Sequence, residues 1–156
     1  SQFNNVVLPA MMKDEKIDIC IAIDASGSIG QADCTDFLSE VQGIMDQFGS
    51  YRIRVWSFDT TVYAYDEFTD DDGRSIEEYQ IVGGGGTDFM CNWHFMEQEG
   101  IEPDQFIMFT DGEPWGKWGI EDYCDTLFLV KNRYSKPEAP FGQTIYYEDS
   151  TMKQAA

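Results

Sequence analysis

One histidine, ten lysines and arginines, no cysteines at C-x-x-C spacing and no long apolar run: each shortage in this 156-residue sequence removes a class of function. A Cys/His zinc site needs clustered thiolates or imidazoles. His94 stands alone and Cys20, Cys34, Cys91 and Cys124 are widely spaced, so no such site is expected. Ten basic residues against 29 acidic ones give a formal net charge of −19, which repels phosphate backbones and anionic lipid. Nucleic acid and membrane surfaces are therefore not expected as partners. No stretch of 18 apolar residues exists to span a bilayer. The first residues also lack a charged region followed by an apolar one, so no secretion leader is expected. Scattered cysteines without such a leader point to reduced, mostly buried thiols and a cytoplasmic location. The sequence contains no G-x-S-x-G elbow and no G-K-[ST] ending to its glycine run. That leaves a serine hydrolase without a positioned nucleophile and a P-loop without its lysine.

What is present is sufficient for a core: 42% of residues are apolar and 15% aromatic. A chain of this length buries enough surface to fold without a disulfide or metal staple. Residues 1–16 read as a lead-in or linker, 17–147 as one domain and 148–156 as a tail. Ile17 to Ile23 is a β-branched apolar run closed by Asp24, the pattern of a buried parallel strand. From Gln31 to Phe48 the period changes. Phe37, Leu38, Val41, Ile44, Met45 and Phe48 share one helical face, and Gly49 stops it. Tyr51 to Phe58 reads as a strand and Thr61 to Tyr65 as its hairpin partner, with Asp59-Thr60 between them. Asp70-Asp71-Asp72-Gly73 reads as a solvated turn. Tyr79 to Val82 is expected as a short strand and 88–99 as a helix capped by Thr87 or Asp88 and ended by Gly100. Gln105 to Phe109, Thr126 to Val130 and Thr144 to Tyr147 are expected strands, the last of them an edge. The alternation predicts an α/β fold: a doubly wound, mostly parallel sheet with helices on both faces and one antiparallel edge strand.

In such a sheet ligands bind at the carboxyl ends of the strands. Three loops there carry oxygen. Asp24-Ala25-Ser26-Gly27-Ser28 places oxygen side chains at i, i+2 and i+4, with small residues between them. Gly83 to Gly86 permits close approach of backbone and delivers Thr87. Thr110-Asp111-Gly112 follows an apolar strand. Asp24, Ser26, Ser28, Thr87 and Asp111 thus form an all-oxygen set suited to a hard divalent cation, Mg²⁺ first, with Mn²⁺ or Ca²⁺ as alternatives. Hydroxyls place little negative charge on the ion and leave it electrophilic toward an incoming carboxylate.

Asp24-x-Ser26-x-Ser28, Thr87 and Asp111 resemble the metal-ion-dependent adhesion site (MIDAS) of von Willebrand factor A (VWA) domains, over roughly residues 17–147. Val7-Leu8-Pro9, Ile23 to Ile29, Phe48 to Arg52, Gly83 to Phe89 and Phe109 to Gly112 are similar to a VWA-like domain at the C-terminal end of predicted bacterial metallopeptidases. In that family an upstream domain carries the H-E-x-x-H zinc motif, which is missing from this sequence. The resemblance implies that Ser26, Ser28 and Thr87 ligate the metal directly. Asp24 and Asp111 would bind through water or switch with state, and an open position would take an Asp or Glu from a partner protein. It also implies an association with MoxR-type AAA+ ATPases.

Other residues near these loops have two readings each. Asp59 is a turn residue or a support to the metal; the turn is preferred. Asp88 and Glu113 flank the set and either contact a partner or cap loops. Trp115 and Trp118 are interface anchors or covers of the sheet edge. His94 is expected to be a packed or surface helix residue. The function expected is recognition without catalysis. Its alternatives are the regulatory or substrate-binding half of a larger metallopeptidase-like or ATPase-associated system, or a Mg²⁺-dependent phosphoesterase. The last would need a phosphate clamp, and only Lys117 is at hand.

Overall fold

The β-branched runs pair side by side. In the computed structural model, which describes residues 16–27 and 29–147, six strands form one sheet. They are β1 (Ile17–Asp24), β2 (Tyr51–Phe58), β3 (Val62–Thr69), β4 (Gln105–Thr110), β5 (Thr126–Val130) and β6 (Gln143–Tyr146), in the order β3-β2-β1-β4-β5-β6. All neighbours are parallel except β2 and β3, so β3 is the one antiparallel edge. The architecture is the expected one.

Successive residues of a strand face opposite sides of the sheet, and here the two sides differ. Ile19, Ile21, Ile23, Ile53, Val55, Leu127 and Leu129 make one side mainly aliphatic. Helix α1 (Gln31–Met45) lies on it through Cys34, Phe37, Leu38, Val41, Ile44 and Met45. Cys20, Ala22, Trp56, Phe58, Phe106, Met108 and Phe128 form the other side, and helix α2 (Met90–Glu99) covers it with Trp93 and Met96. Phe89 and Trp118 pack edge-on there, and Trp118 also meets Phe128 at 5.2 Å. The indole N–H of buried Trp56 donates to Asn92 Oδ1 at 2.7 Å, and the amide of Asn92 donates to the Phe89 carbonyl. That small network lets a polar side chain sit in the core without an unmet hydrogen bond.

Several boundaries differ from expectation. Helix α1 ends at Met45, and Phe48 reaches the core from the turn beyond it. Strand β3 runs on to Thr69 past an irregularity opposite Val55–Ser57, where Ala64 has φ +51°. Helix α2 starts at Met90, with Asp88 Oδ1 accepting the Met90 N–H. Tyr79 to Val82 is not a strand. It follows a single 3₁₀ turn (Ile76–Glu78), and side chains take its backbone groups. Gln31 Nε2 donates to the Tyr79 carbonyl, Gln31 Oε1 accepts the Ile81 N–H, and Ser57 Oγ accepts the Val82 N–H. The acidic triplet is a turn, as expected: Asp70 accepts the Tyr51 N–H and Asp72 accepts those of Thr69 and Arg74. Among the described residues no helix follows Asp111, and none is long and apolar enough to cross a membrane.

Candidate metal centre

Register brings the oxygen-bearing loops together. β1 pairs with β4 through Ile23 and Phe109, so the next residues, Asp24 and Thr110, stand level. On the other flank Asp24 is opposite Phe58, which puts Asp59 one step beyond. Thr110 is opposite Val130, and the Lys131 N–H donates to the Thr110 carbonyl. Four parallel strands therefore end at one level, with β1 and β4 adjacent where the strand order reverses, the crevice in which open α/β sheets hold ligands.

Asp24 is the centre of this edge and is 1% exposed. Its Oδ1 accepts the backbone N–H of Ser26 at 3.0 Å and also the Ser26 hydroxyl, while Thr110 Oγ1 donates to its Oδ2 at 2.6 Å. Burial pushes its carboxyl above the ordinary range. The hydrogen bonds from Ser26 and Thr110 oppose that, and the negative charge of Asp111 adds to it. Among the described residues no lysine or arginine pairs with Asp24. Asp111, half-buried, accepts the Glu113 N–H on Oδ1, and its carbonyl accepts from Asn132 Nδ2 at 3.0 Å.

The glycine run closes the site from the β2 side. At Gly83, φ is +125° and a Cβ would lie 3.0 Å from that of Ala25, so the loop rests on the Asp24–Ser26 turn only because no side chain intervenes. Asp59 holds it there. Its carboxylate, 4% exposed, accepts N–H groups from Thr60, Thr61, Gly84 and Gly85. Burial alone would raise its pKa, but these four backbone donors bring the carboxyl below the ordinary range. Thr87, buried at the end of the run, joins the other loops through the main chain: its carbonyl accepts the Trp115 N–H at 3.0 Å. The Trp115 ring covers Gly86 so closely that a Cβ there would fall 1.9 Å from it.

The structure thus joins Asp24 and Ser26 directly, sets Asp111 within electrostatic reach of them, and brings the Thr87 loop against the same turn. Ser28 lies outside the described residues, as does the Val7-Leu8-Pro9 segment. Thr110 was not among the expected site residues. Its role follows from the β1–β4 register, and the only sequence signal is a threonine before the aspartate that ends a strand. Asp59 is more than a turn residue, because it also orders the glycine loop. The tryptophans divide: Trp118 packs on the aromatic face and Trp115 is 74% exposed. His94 is exposed on α2, as expected.

The donors fit a hard cation on the chemistry present. A buried carboxylate within electrostatic reach of a second one, with hydroxyls and, among the described residues, no basic side chain paired to it, suits a cation. Soft ligation is disfavoured. Cys91 is the thiol that senses Asp88, Asp59 and Asp24, and burial together with those charges pushes it up to about 12, so it stays protonated. Among the described residues no three His, Cys, Asp or Glu side chains gather to hold a metal, so a centre here must be completed by hydroxyls.

Comparison with known proteins places the fold. Residues 19–148 match the family model described as VWA-like domain (DUF2201). No curated protein matches the chain in sequence. Among solved structures it is similar to the crystal structure of the ArnB paralog VWA2 from Sulfolobus acidocaldarius, with a TM-score of 0.55 and 18% identity. That match covers 74% of this chain and 34% of the other, so it speaks for the fold, and the chain spans about a third of the length of that relative.

Proposed function

The chain belongs to the VWA-like domain family DUF2201, and from that premise we propose that it is a metal-ion-dependent protein-interaction module. Asp24, Ser26, Ser28, Thr87 and Asp111 would hold Mg²⁺ at the carboxyl edge of the sheet, and a partner protein would add an Asp or Glu to the ion. The observation that carries this reading is Asp24: a carboxylate 1% exposed, bound by the hydroxyls of Ser26 and Thr110, faced by Asp111 and given no basic partner among the described residues. Bound Mg²⁺ supplies the missing positive charge and a coordination position for the partner's carboxylate.

The rest is work for the chain's own groups. Thr110 pins Asp24 by one oxygen and Ser26 by the other, which fixes the carboxylate plane. Asp59 fixes the glycine run and so the position of Thr87. The amino end of α1 follows the Asp24–Ser28 loop directly, and its partial positive charge favours an arriving anion. No catalytic role is proposed for the domain. A larger assembly would supply any chemistry, in a cytoplasmic setting, and a MoxR-type ATPase is the first partner to try.

The test is calorimetry with Mg²⁺ and Mn²⁺ on wild type and Thr87→Ala, followed by affinity capture with and without Mg²⁺. Heat of binding in wild type, lost in Thr87→Ala, with capture that needs the ion, is the expected result. A silent titration together with EDTA-insensitive capture overturns the reading.

A further inference from the structure

Positive charge is scarce in this chain, and its distribution is uneven. Arg52 and Arg54 are taken up by Asp18, and Arg74 by Asp66. Residues 126–137 contain no Asp or Glu but include Lys131, Arg133 and Lys136, in a sequence where 29 of 156 residues are acidic. This basic stretch begins at the carboxyl end of β5, beside the Asp24–Thr110 edge. Asn132 shapes it: its Oδ1 accepts the N–H groups of Tyr134 and Ser135, and its Nδ2 donates to the Asp111 carbonyl and to Glu113 Oε1. The resulting turn is tied to the candidate centre and throws Arg133 and Tyr134 outward, Tyr134 being 88% exposed.

A cavity of about 380 Å³ lies between this turn and the site, lined by Gly27, Glu113, Lys131, Asn132, Arg133 and Tyr134. Gly27 sits between Ser26 and Ser28, so the cavity opens onto the metal loop itself. Lys131 is held by Asp33 at 2.7 Å, whereas Arg133 is exposed and makes no ion pair with a described residue. At physiological salt, charges are screened beyond about 8 Å. Distant acidic groups therefore act weakly here, and Glu113, the acidic residue of the lining, accepts from the Asn132 amide.

We propose that the cavity receives an acidic peptide segment of the partner, one carboxylate going to the metal and a second to the Arg133 guanidinium. This rests on the metal reading above and adds a requirement to it: the segment carries at least two carboxylates. Arginine suits the second position because its planar fork takes a carboxylate in two parallel hydrogen bonds. Tyr134 offers an apolar face for the segment to lie on.

The probes are fluorescein-labelled hexaglutamate and a glycine peptide with one central glutamate, titrated by anisotropy in Mg²⁺ at about 150 mM salt. Wild type should bind hexaglutamate about tenfold more tightly than the single-glutamate peptide. Arg133→Glu should lose that advantage and keep the calorimetric Mg²⁺ isotherm. Lys16→Glu makes the same charge change away from the cavity, in a groove with Tyr51 and Asp70, and should shift binding less than twofold. Equal losses in the two variants, or no preference for hexaglutamate in a protein that binds Mg²⁺, overturn the cavity and leave the metal standing. Absence of Mg²⁺ heat in wild type overturns the metal reading, and this proposal with it.

Discussion

Asp24 ends β1 and Asp59 follows β2 in one mostly parallel sheet, both are nearly sealed from solvent, and they are treated in opposite ways. Asp59 is met by four backbone N–H groups, and its carboxyl is held below the ordinary range. Asp24 receives one backbone N–H and two hydroxyls, sees the charge of Asp111, and is pushed above that range. Burial raises both carboxyls and is the largest cause at Asp24, whereas at Asp59 the main-chain donors outweigh it. Main-chain donors are oriented by the fold and stabilise an anion permanently, whereas hydroxyls can turn to serve another ligand. The β2 end is a finished structural device, and the β1 end is where, on the proposed function, a cation would bind.

The largest expected effect breaks the finished side. Asp59→Asn keeps the shape but removes the charge and turns an amide donor toward N–H groups that need an acceptor. A loss of about 2–3 kcal/mol in stability is expected from urea unfolding, with Thr87 and Mg²⁺ affinity disturbed as a consequence. A loss under about 0.5 kcal/mol would mean that the glycine loop is ordered by something else.

Next in size is the ion. A ligand that binds only the folded state adds RT ln(1+[L]/Kd), about 2.7 kcal/mol at a hundred times Kd. Melting in Mg²⁺ should exceed melting in EDTA accordingly. Asp24→Ala should abolish the difference, and equal curves for wild type in the two buffers count against the centre.

The acid limb separates the two carboxylates again. For Asp59 the folded pKa is lowered, so its contribution is complete above the ordinary Asp value of about 4 and is lost as pH falls through the lower folded value. For Asp24 the folded pKa is raised, so its penalty is complete above the folded value and is relieved as pH falls through it. In EDTA, the stability gap between wild type and Asp59→Asn should therefore narrow below about pH 4. A constant gap would show that the charge of Asp59 contributes nothing.

These contrasts also mark what could be read in the chain beforehand. Asp24, Ser26, Thr87 and Asp111 stand out because glycines, small residues and strand ends are local signals. The strands were legible for a similar reason: Ile17 to Ile23 and Thr126 to Val130 are too apolar for any place but a sheet interior. The part played by Thr110 depends on a pairing across 86 residues, and that of Asp59 on reaching Gly84 and Gly85 across 25 and 26. No window of sequence contains those distances. Tyr79 to Val82 departs from the expected strand because Gln31 and Ser57 supply the hydrogen bonds that a neighbouring strand would have made.

The smallest expected effect is the most discriminating. Asp24→Asn, measured in EDTA, removes a buried charge that has no basic partner among the described residues. One amide oxygen can still accept from Ser26, and the amide nitrogen can donate to Thr110 Oγ1 in place of the reverse bond. The Thr110 hydroxyl already accepts the Gly112 N–H at 3.1 Å, so it must give up its own donation. Loss of that bond and relief of the charge act in opposite directions, and stability should stay within about 1 kcal/mol of wild type. The same isosteric change that unsettles the β2 end should thus be tolerated at the β1 end while it removes the response to Mg²⁺. If Asp24→Asn is as damaging as Asp59→Asn in EDTA, the carboxylate at the end of β1 is a structural anchor like its neighbour, and its burial needs no ion to explain it.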